Sequence, residues 1–194
     1  MQQLVSRTRQ KKNAASDLPQ VIGLLGKKQV GKSTLARQLE SIGYQRASFA
    51  SPLKNMLRAL GVPDRHLDGS DEDKNEPLEM LGGRSARYAM QTLGTEWGRH
   101  LIAPNIWADA ARQHYNGRID AGERIVFDDV RFENECLAIM ELGGLLVEIV
   151  RPNITYVRDA HPSEQLDFEA PITLANTGLE GALRENLVKE WRKL

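Results

Sequence analysis

Residues 26–34 read GKKQVGKST and follow directly on an apolar run, VIGLL, at 21–25. Two glycines separated by four residues, then a lysine and two hydroxyls, match the full pattern G-x-x-x-x-G-K-[ST]. No other segment constrains the fold as strongly. Glycine permits backbone conformations and a close approach that a Cβ would obstruct, so successive N–H groups can point at the oxygens of one phosphate. Such a loop needs a buried strand to deliver the chain and a helix to leave it, adding the positive end of its dipole. Both are present: VIGLL is a buried strand by composition, and Leu35, Leu39 and Ile42 fall on one helical stripe closed by Gly43. A tight turn with an incidental lysine is the alternative, and pattern and context together weigh against it. Gly26, Gln29, Val30, Gly31, Lys32, Ser33 and Thr34 are expected to line the cradle, with Lys32 reaching the β- and γ-phosphates of a nucleotide and Ser33 coordinating Mg2+. Lys27 and Lys28 read more simply as solvated loop lysines.

From Gln20 onward short apolar runs alternate with helical periodicity, the signature of an α/β domain with a mostly parallel sheet. Strands are expected at 21–25, 44–49 (YQRASF), 124–127 (RIVF), 145–150 (LLVEIV) and 171–176 (PITLAN), with helices on both faces. Ser51-Pro52 offers an N-cap and a first-turn proline for a helix carrying Leu53, Met56, Leu57 and Leu60 and stopped by Gly61. Residues 85–114 read as helical segments interrupted around Gly94 and Pro104. A later helix carries Cys136, Leu137 and Met140, and the last repeats apolar residues at Leu179, Leu183, Leu187 and Trp191. Between 68 and 79 six acids stand against one lysine, which reads as a solvated loop without chemistry.

At 194 residues the chain suits a single domain, 19–194, behind a basic segment, 1–18, in which Arg7, Arg9, Lys11 and Lys12 face only Asp17. A mobile tail is the simpler reading of that segment than a nucleic-acid arm. The 26 lysines and arginines balance 26 acids, so no overall field draws the protein to nucleic acid or membrane, and phosphate binding must be local. A single cysteine, Cys136, excludes an intramolecular disulfide and a cysteine-rich metal site. No apolar run is long enough to span a bilayer, and the N-terminus lacks a signal-peptide core, so a cytoplasmic protein is expected.

A phosphate loop says only that a nucleotide binds; the destination of the phosphoryl group has to be read elsewhere. RIVF ends in Asp128-Asp129, and the carboxyl ends of strands in an open parallel sheet face the ligand crevice, where an acid can reach a metal or an acceptor. Asp129 is favoured for catalysis and as a metal ligand beside Ser33, while one of the pair can simply cap the next helix. Arg131, close behind, can neutralise phosphate charge. Lys54 sits in the first turn of its helix, where a cation opposes the dipole unless an anion binds there; a solvent-facing lysine is the alternative. With Ser85 as cap, Arg87 and Gln91 lie one turn apart on one face, with Arg84 just before them. Arginine can grip a phosphate bidentately and glutamine can pair with a base edge, so the combination suits a nucleoside monophosphate, against a plain polar solvent face. Trp97 and Trp107 read more simply as core than as stacking platforms.

The phosphate loop, S-P-L-K at 51–54, R-x-x-x-Q-x-L-G-T-E-W-G-R at 87–99, N-x-W-A-D at 105–109, D-V-R-F-x-N-E at 129–135 and T-L-A-N-T-G at 173–178 occur in one order. Over residues 20–191 that order resembles the phage-type deoxynucleoside monophosphate kinases (deoxynucleotide monophosphate kinases), and the middle motifs are more specific than the loop. The resemblance implies a P-loop NTPase fold of adenylate-kinase type, with an acceptor-binding helical region near 51–114 and a lid-like segment near 151–170. It implies ATP and Mg2+ as the donor system, a deoxynucleoside 5′-monophosphate as acceptor, and host-cell cytoplasm as the location if the chain is phage-encoded. Carried over by matching position, Lys54, Arg87, Gln91 and Arg99 line the acceptor side, Asp129 and Arg131 the catalytic crevice, and Asn176 and Gly178 the adenine of ATP. Lid candidates are Arg151 and Arg158, with His161, Ser163 and Glu164 nearby; Pro162 reshapes that neighbourhood by fixing φ and removing a donor. No stable nucleic-acid complex and no membrane association are expected, and homodimer formation is left open. Two other readings stay open: a P-loop kinase for another phosphorylated small molecule, such as dephospho-coenzyme A, and a non-kinase ATP-binding module that regulates or handles nucleic acid with the basic tail as its arm.

Overall fold

The structure is a computed structural model that describes residues 18–152, 168–179 and 181–194. In chain order its elements are β1 (Val21–Leu25), α1 (Lys32–Glu40), β2 (Tyr44–Ala47), α2 (Ser51–Ala59), α3 (Asp64–Asp68), α4 (Asp71–Asn75), β3 (Pro77–Leu78), a 3-10 turn (Glu79–Leu81), β4 (Arg84–Ser85), α5 (Ala86–Thr92), a π-helix (Leu93–Ile102), α6 (Ile106–Asp120), β5 (Arg124–Phe127), α7 (Glu133–Glu141), β6 (Leu145–Val150), β7 (Ile172–Ala175) and α8 (Ala182–Trp191). They divide into two compact units: one runs up to Ser48 and resumes at Ala111–Leu194, the other is Phe49–Ala110. The tail at 1–17 and the lid candidates Arg158, His161, Ser163 and Glu164 lie outside the described residues.

In the first unit, five strands form one parallel sheet in the order β2-β5-β1-β6-β7. All five expected strands are found. β1, at the centre, is buried along its whole length, as a parallel strand covered on both faces must be. Its side chains alternate between the two layers. Ile22 and Leu24 join Val147 and Ile149 under Leu35 and Leu39 of α1 and Leu183, Leu187 and Trp191 of α8. On the other face, a Cβ at Gly23 would come within 3.1 Å of Ile139 on α7, so glycine lets that helix lie close on the strand. Tyr115 of α6 meets Phe127 edge-on at 5.1 Å between ring centroids. Each fully buried Leu or Ile here contributes about 1.5–3 kcal/mol.

In the first unit the differences from expectation sit at element ends. β2 stops at Ala47, opposite Phe127, because β5 offers no ladder beyond that residue. Ile42 and Leu179 are exposed and lie outside α1 and α8; helical periodicity, extrapolated past the helix termini, had included them. Leu18, at the edge of the basic segment, is buried in the core.

The second unit has its own small core of Leu57, Val62, Leu67 and Ala86. α2 buries Leu53 and Leu57, but Ala50, not Ser51, holds its N-cap position. Proline tolerates either early helical position, so Pro52 does not settle which residue caps. The acid-rich stretch at 68–79 is not a loop: Ser70 Oγ accepts from the Asp73 N–H at 3.2 Å while the Asp73 carboxylate accepts from the Ser70 N–H at 2.9 Å, a reciprocal cap that starts α4. Ser85 caps α5 as expected, accepting from the Tyr88 N–H at 3.2 Å. Gly94 does not interrupt the helix, which passes from α5 into the π-helix. The glycines make room for an indole: a Cβ at Gly98 would sit 2.6 Å from the Trp107 ring, and Trp107 Nε1 donates to the Gly94 carbonyl at 2.7 Å. The wider π turn accommodates that insertion, and Trp107 is core. Among the described residues no helix is long and apolar enough to cross a membrane.

Candidate functional site: a phosphate cradle and a charged helical unit

The loop between β1 and α1 has the backbone that its sequence requires. Gly26 and Gly31 have φ of 127° and 115°, and Gln29 is the only non-glycine among the described residues with positive φ, at 64°. A Cβ at Gly26 would fall 2.3 Å from the Ile149 carbonyl oxygen, and one at Gly31 2.4 Å from Asn176 Nδ2. Conformation and space therefore both demand glycine. Asn176 bolts the β7–α8 connection to the loop: its amide donates to the Val30 carbonyl at 2.7 Å and its oxygen accepts from the Gly178 N–H at 2.9 Å. Lys32 folds over the cradle, donating to the Lys27 carbonyl at 2.7 Å and to that of Gly26.

The sheet sets two strand-end acids beside this loop. β5 is flanked by β1 and β2, so the residues that follow it emerge between the start of α1 and the edge strand. Asp128 is buried and lies 3.4 Å from Ser33 Oγ. Its charge is met by Arg46 of β2, which donates to the Asp128 carboxylate and, at 3.3 Å, to Ser33 Oγ. The hydrogen bond that Arg46 donates to Asp128 holds its guanidinium charged above the usual range. Asp129 accepts from Ser48 Oγ. Of the acidic pair, Asp128 is thus the one set against Ser33, although Asp129 is the one expected there. Glu135, not singled out in the sequence, is buried and accepts from the N–H groups of Arg131 at 2.8 Å and Phe132 at 3.2 Å, fixing the turn into α7. The Arg131 side chain is half-buried, and Arg151 is exposed just past the end of β6. Burial pushes the Cys136 thiol up to about 12, so it carries no reactive thiolate at neutral pH.

In the second unit two of the cations expected to take an acceptor, Lys54 and Arg87, are held by acids of α3 and α4. Lys54 Nζ lies 2.7 Å from Asp68, and Arg87 pairs with Asp71. Arg58 spans Asp64, at 2.6 Å, and Asp68. Lys74, the lone lysine of the acid-rich stretch, has its ammonium pulled below its usual range by burial first and then by the like charges of Lys54 and Arg87. Arg84 stacks over the Tyr88 ring at 4.9 Å, Gln91 is half-buried on α5, and Arg99 donates to the Gly94 carbonyl at 2.9 Å. Lys54, Lys74 and Arg87 share one neighbourhood; Arg99 is tied to the π-helix.

The loop and the strand-end acids offer groups for both a phosphate and a divalent cation. At Gly26 and Gly31 the loop packs so closely on the Ile149 carbonyl and the Asn176 amide that no Cβ fits, which holds the positive-φ backbone that a phosphate-binding loop needs. A hydroxyl and a carboxylate 3.4 Å apart are hard oxygen ligands of the kind Mg2+ takes. Among the described residues no three His, Cys, Asp or Glu side chains gather to hold a metal, so nucleotide phosphates and water would complete its shell.

No family model matches the sequence. A protein of Acanthamoeba polyphaga mimivirus is 37% identical over 155 residues, covering 74% of this chain and 80% of the relative; its name, a provisional one, is deoxynucleotide monophosphate kinase. A parallel sheet flanked by helices, a glycine-rich phosphate cradle and this relative define the class, a nucleotide kinase and hence a phosphotransferase. Within that class the chain belongs to the deoxynucleotide monophosphate kinase family.

Proposed function

We propose that the protein transfers the γ-phosphoryl group of ATP to the 5′-phosphate of a deoxynucleoside monophosphate, yielding ADP and a deoxynucleoside diphosphate, and so supplies DNA precursors. The reading is carried by the cradle, whose glycines leave no room for a Cβ and whose mouth holds Ser33 against a buried carboxylate. The mimivirus relative's name supports the acceptor class.

An oxygen of the acceptor phosphate attacks the γ-phosphorus in line as the bond to the β–γ bridging oxygen breaks. The attacking oxygen is already anionic, so no general base is required, and positioning with charge neutralisation dominates. Lys32 exchanges the Gly26 and Lys27 carbonyls for the β- and γ-phosphates. Ser33 and the strand-end aspartates, Asp128 nearest and Asp129 next along the chain, would hold Mg2+, which would supply positive charge against the phosphates. Arg131 adds positive charge at the same strand end, Asn176 and Gly178 border the adenine, and Arg151 is available from the end of β6. On the acceptor side, Arg87 and Lys54 give up Asp71 and Asp68 for the 5′-phosphate, with Arg84 and Arg99 in support, while Gln91 reads the base edge. Removing one such charge contact is expected to cost about 3–4 kcal/mol, roughly a hundred- to a thousandfold in rate.

The test is acceptor-dependent ADP release from ATP and Mg2+ with each deoxynucleoside monophosphate in turn and dephospho-coenzyme A alongside. At least one deoxynucleoside monophosphate should be turned over, and Lys32→Ala should abolish that turnover. Silence on all of them would sink the reading.

A further inference from the structure

We propose that Arg46 is a resident counter-ion of the metal position: in the nucleotide-free protein its guanidinium takes the place between Ser33 and Asp128 that the divalent cation later occupies, and the metal enters by displacing it. The proposal rests on the reading that Ser33 and Asp128 hold the metal.

Three groups converge on one point. Arg46 Nη2 donates to Asp128 Oδ2 and, at 3.3 Å, to Ser33 Oγ, while Ser33 Oγ lies 3.4 Å from the same carboxylate oxygen. The Asp128 side chain is 8% exposed and that of Arg46 42%. A carboxylate so deeply buried needs a compensating cation whether or not nucleotide is bound. Arg46 provides one without crowding the core, because it comes from β2 at the edge of the sheet. The ladder fixes its reach: Arg46 pairs with Val126, two residues before Asp128 on the neighbouring strand. Its exposed flank lets the guanidinium swing out with no repacking behind it. The other acids whose charge it feels are Glu40, exposed at the end of α1, and Asp129, so a displaced Arg46 remains among carboxylates.

The arrangement has a directional consequence. A divalent cation alone must evict a bound guanidinium and, among the described residues, gains few protein ligands for doing so. A cation arriving on nucleotide phosphates brings the rest of its shell with it. Arg46 thus disfavours free metal in the empty cradle and favours entry of metal with nucleotide, making it a positioning residue for the site and not a catalytic one.

The probe is Mn2+, titrated by electron paramagnetic resonance into nucleotide-free wild type, Arg46→Met, Arg46→Lys, and Arg46→Met combined with Asp128→Asn. Arg46→Met should bind Mn2+ about tenfold or more tightly than wild type, since an uncompensated carboxylate attracts it. Arg46→Lys, which keeps the charge, should stay near wild type. The double variant should lose the gain. Melting curves give a second readout: Mn2+ without nucleotide should raise the melting temperature of Arg46→Met more than that of wild type. Equal or weaker Mn2+ binding by Arg46→Met overturns the proposal, as does a gain that survives Asp128→Asn. A silent acceptor panel would remove the kinase reading and leave a positive Mn2+ result standing, so the two failures are distinguishable.

Discussion

Gly31 meets two demands at once, a φ of 115° and an Asn176 amide 2.4 Å from where a Cβ would stand. Gly31→Ala is therefore expected to destabilise the fold by about 1–3 kcal/mol from backbone strain, with the clash added. Asn176→Ala in the same background removes the clash but leaves the strain. The double variant should lose less stability than the sum of the singles, a coupling that urea unfolding would read. Lys74 gives a prediction of opposite sign. Burial and the like charges of Lys54 and Arg87 outweigh the attraction of Asp71 and Asp68 for its ammonium, so Lys74→Met should raise the melting temperature of the ligand-free protein while weakening binding of deoxynucleoside monophosphate, measured by calorimetry. A purely structural lysine would not move the two readouts in opposite directions. At this scale the cradle was legible, because glycine spacing, lysine and hydroxyl are local. Which of Asp128 and Asp129 lies against Ser33 was not: both follow the end of β5, where no strand periodicity fixes the side to which a side chain turns. Arg46 was invisible for a related reason, since an arginine on an edge strand reads as a solvated one.

At the scale of elements, Gly98 lies in the π-helix against Trp107. Gly→Ala in an ordinary helix interior stabilises by about 0.5–1 kcal/mol. Here a Cβ would stand 2.6 Å from the indole, so Gly98→Ala should instead destabilise by about 1–3 kcal/mol in denaturant unfolding. The cap on α4 allows a second test. Ser70→Ala removes one arm of the reciprocal pair with Asp73 and is expected to cost about 1 kcal/mol. Because α4 carries Asp71 and Lys74, the same change should raise KM for the acceptor while leaving KM for ATP alone. The strands of the sheet were legible because buried parallel strands are continuous apolar runs. α3, α4 and the π-helix were not. Their sequences show charge or a glycine where a loop or a break would, and only a reciprocal cap and a distant tryptophan turn those residues helical.

For the whole molecule, equal numbers of acids and bases leave no net field, and the positive charge that matters is local. Cradle and cation cluster each sit in their own unit, with Lys32 on backbone carbonyls and Lys54 and Arg87 on carboxylates. Each protein-held partner stands where a phosphate is proposed to bind, so these cations stay paired until a phosphate arrives. The α/β class and the family order of motifs were readable from one sequence, and the helical region near 51–114 that the resemblance implies overlaps the compact unit Phe49–Ala110, although no shift in composition marks that unit's bounds. The most direct measurement follows the label from γ-32P-ATP, incubated with Mg2+ and each deoxynucleoside monophosphate, to its product. The account expects label in a deoxynucleoside diphosphate, dependent on acceptor and lost with Lys32→Ala. Label appearing only as inorganic phosphate, whatever acceptor is present, would contradict it.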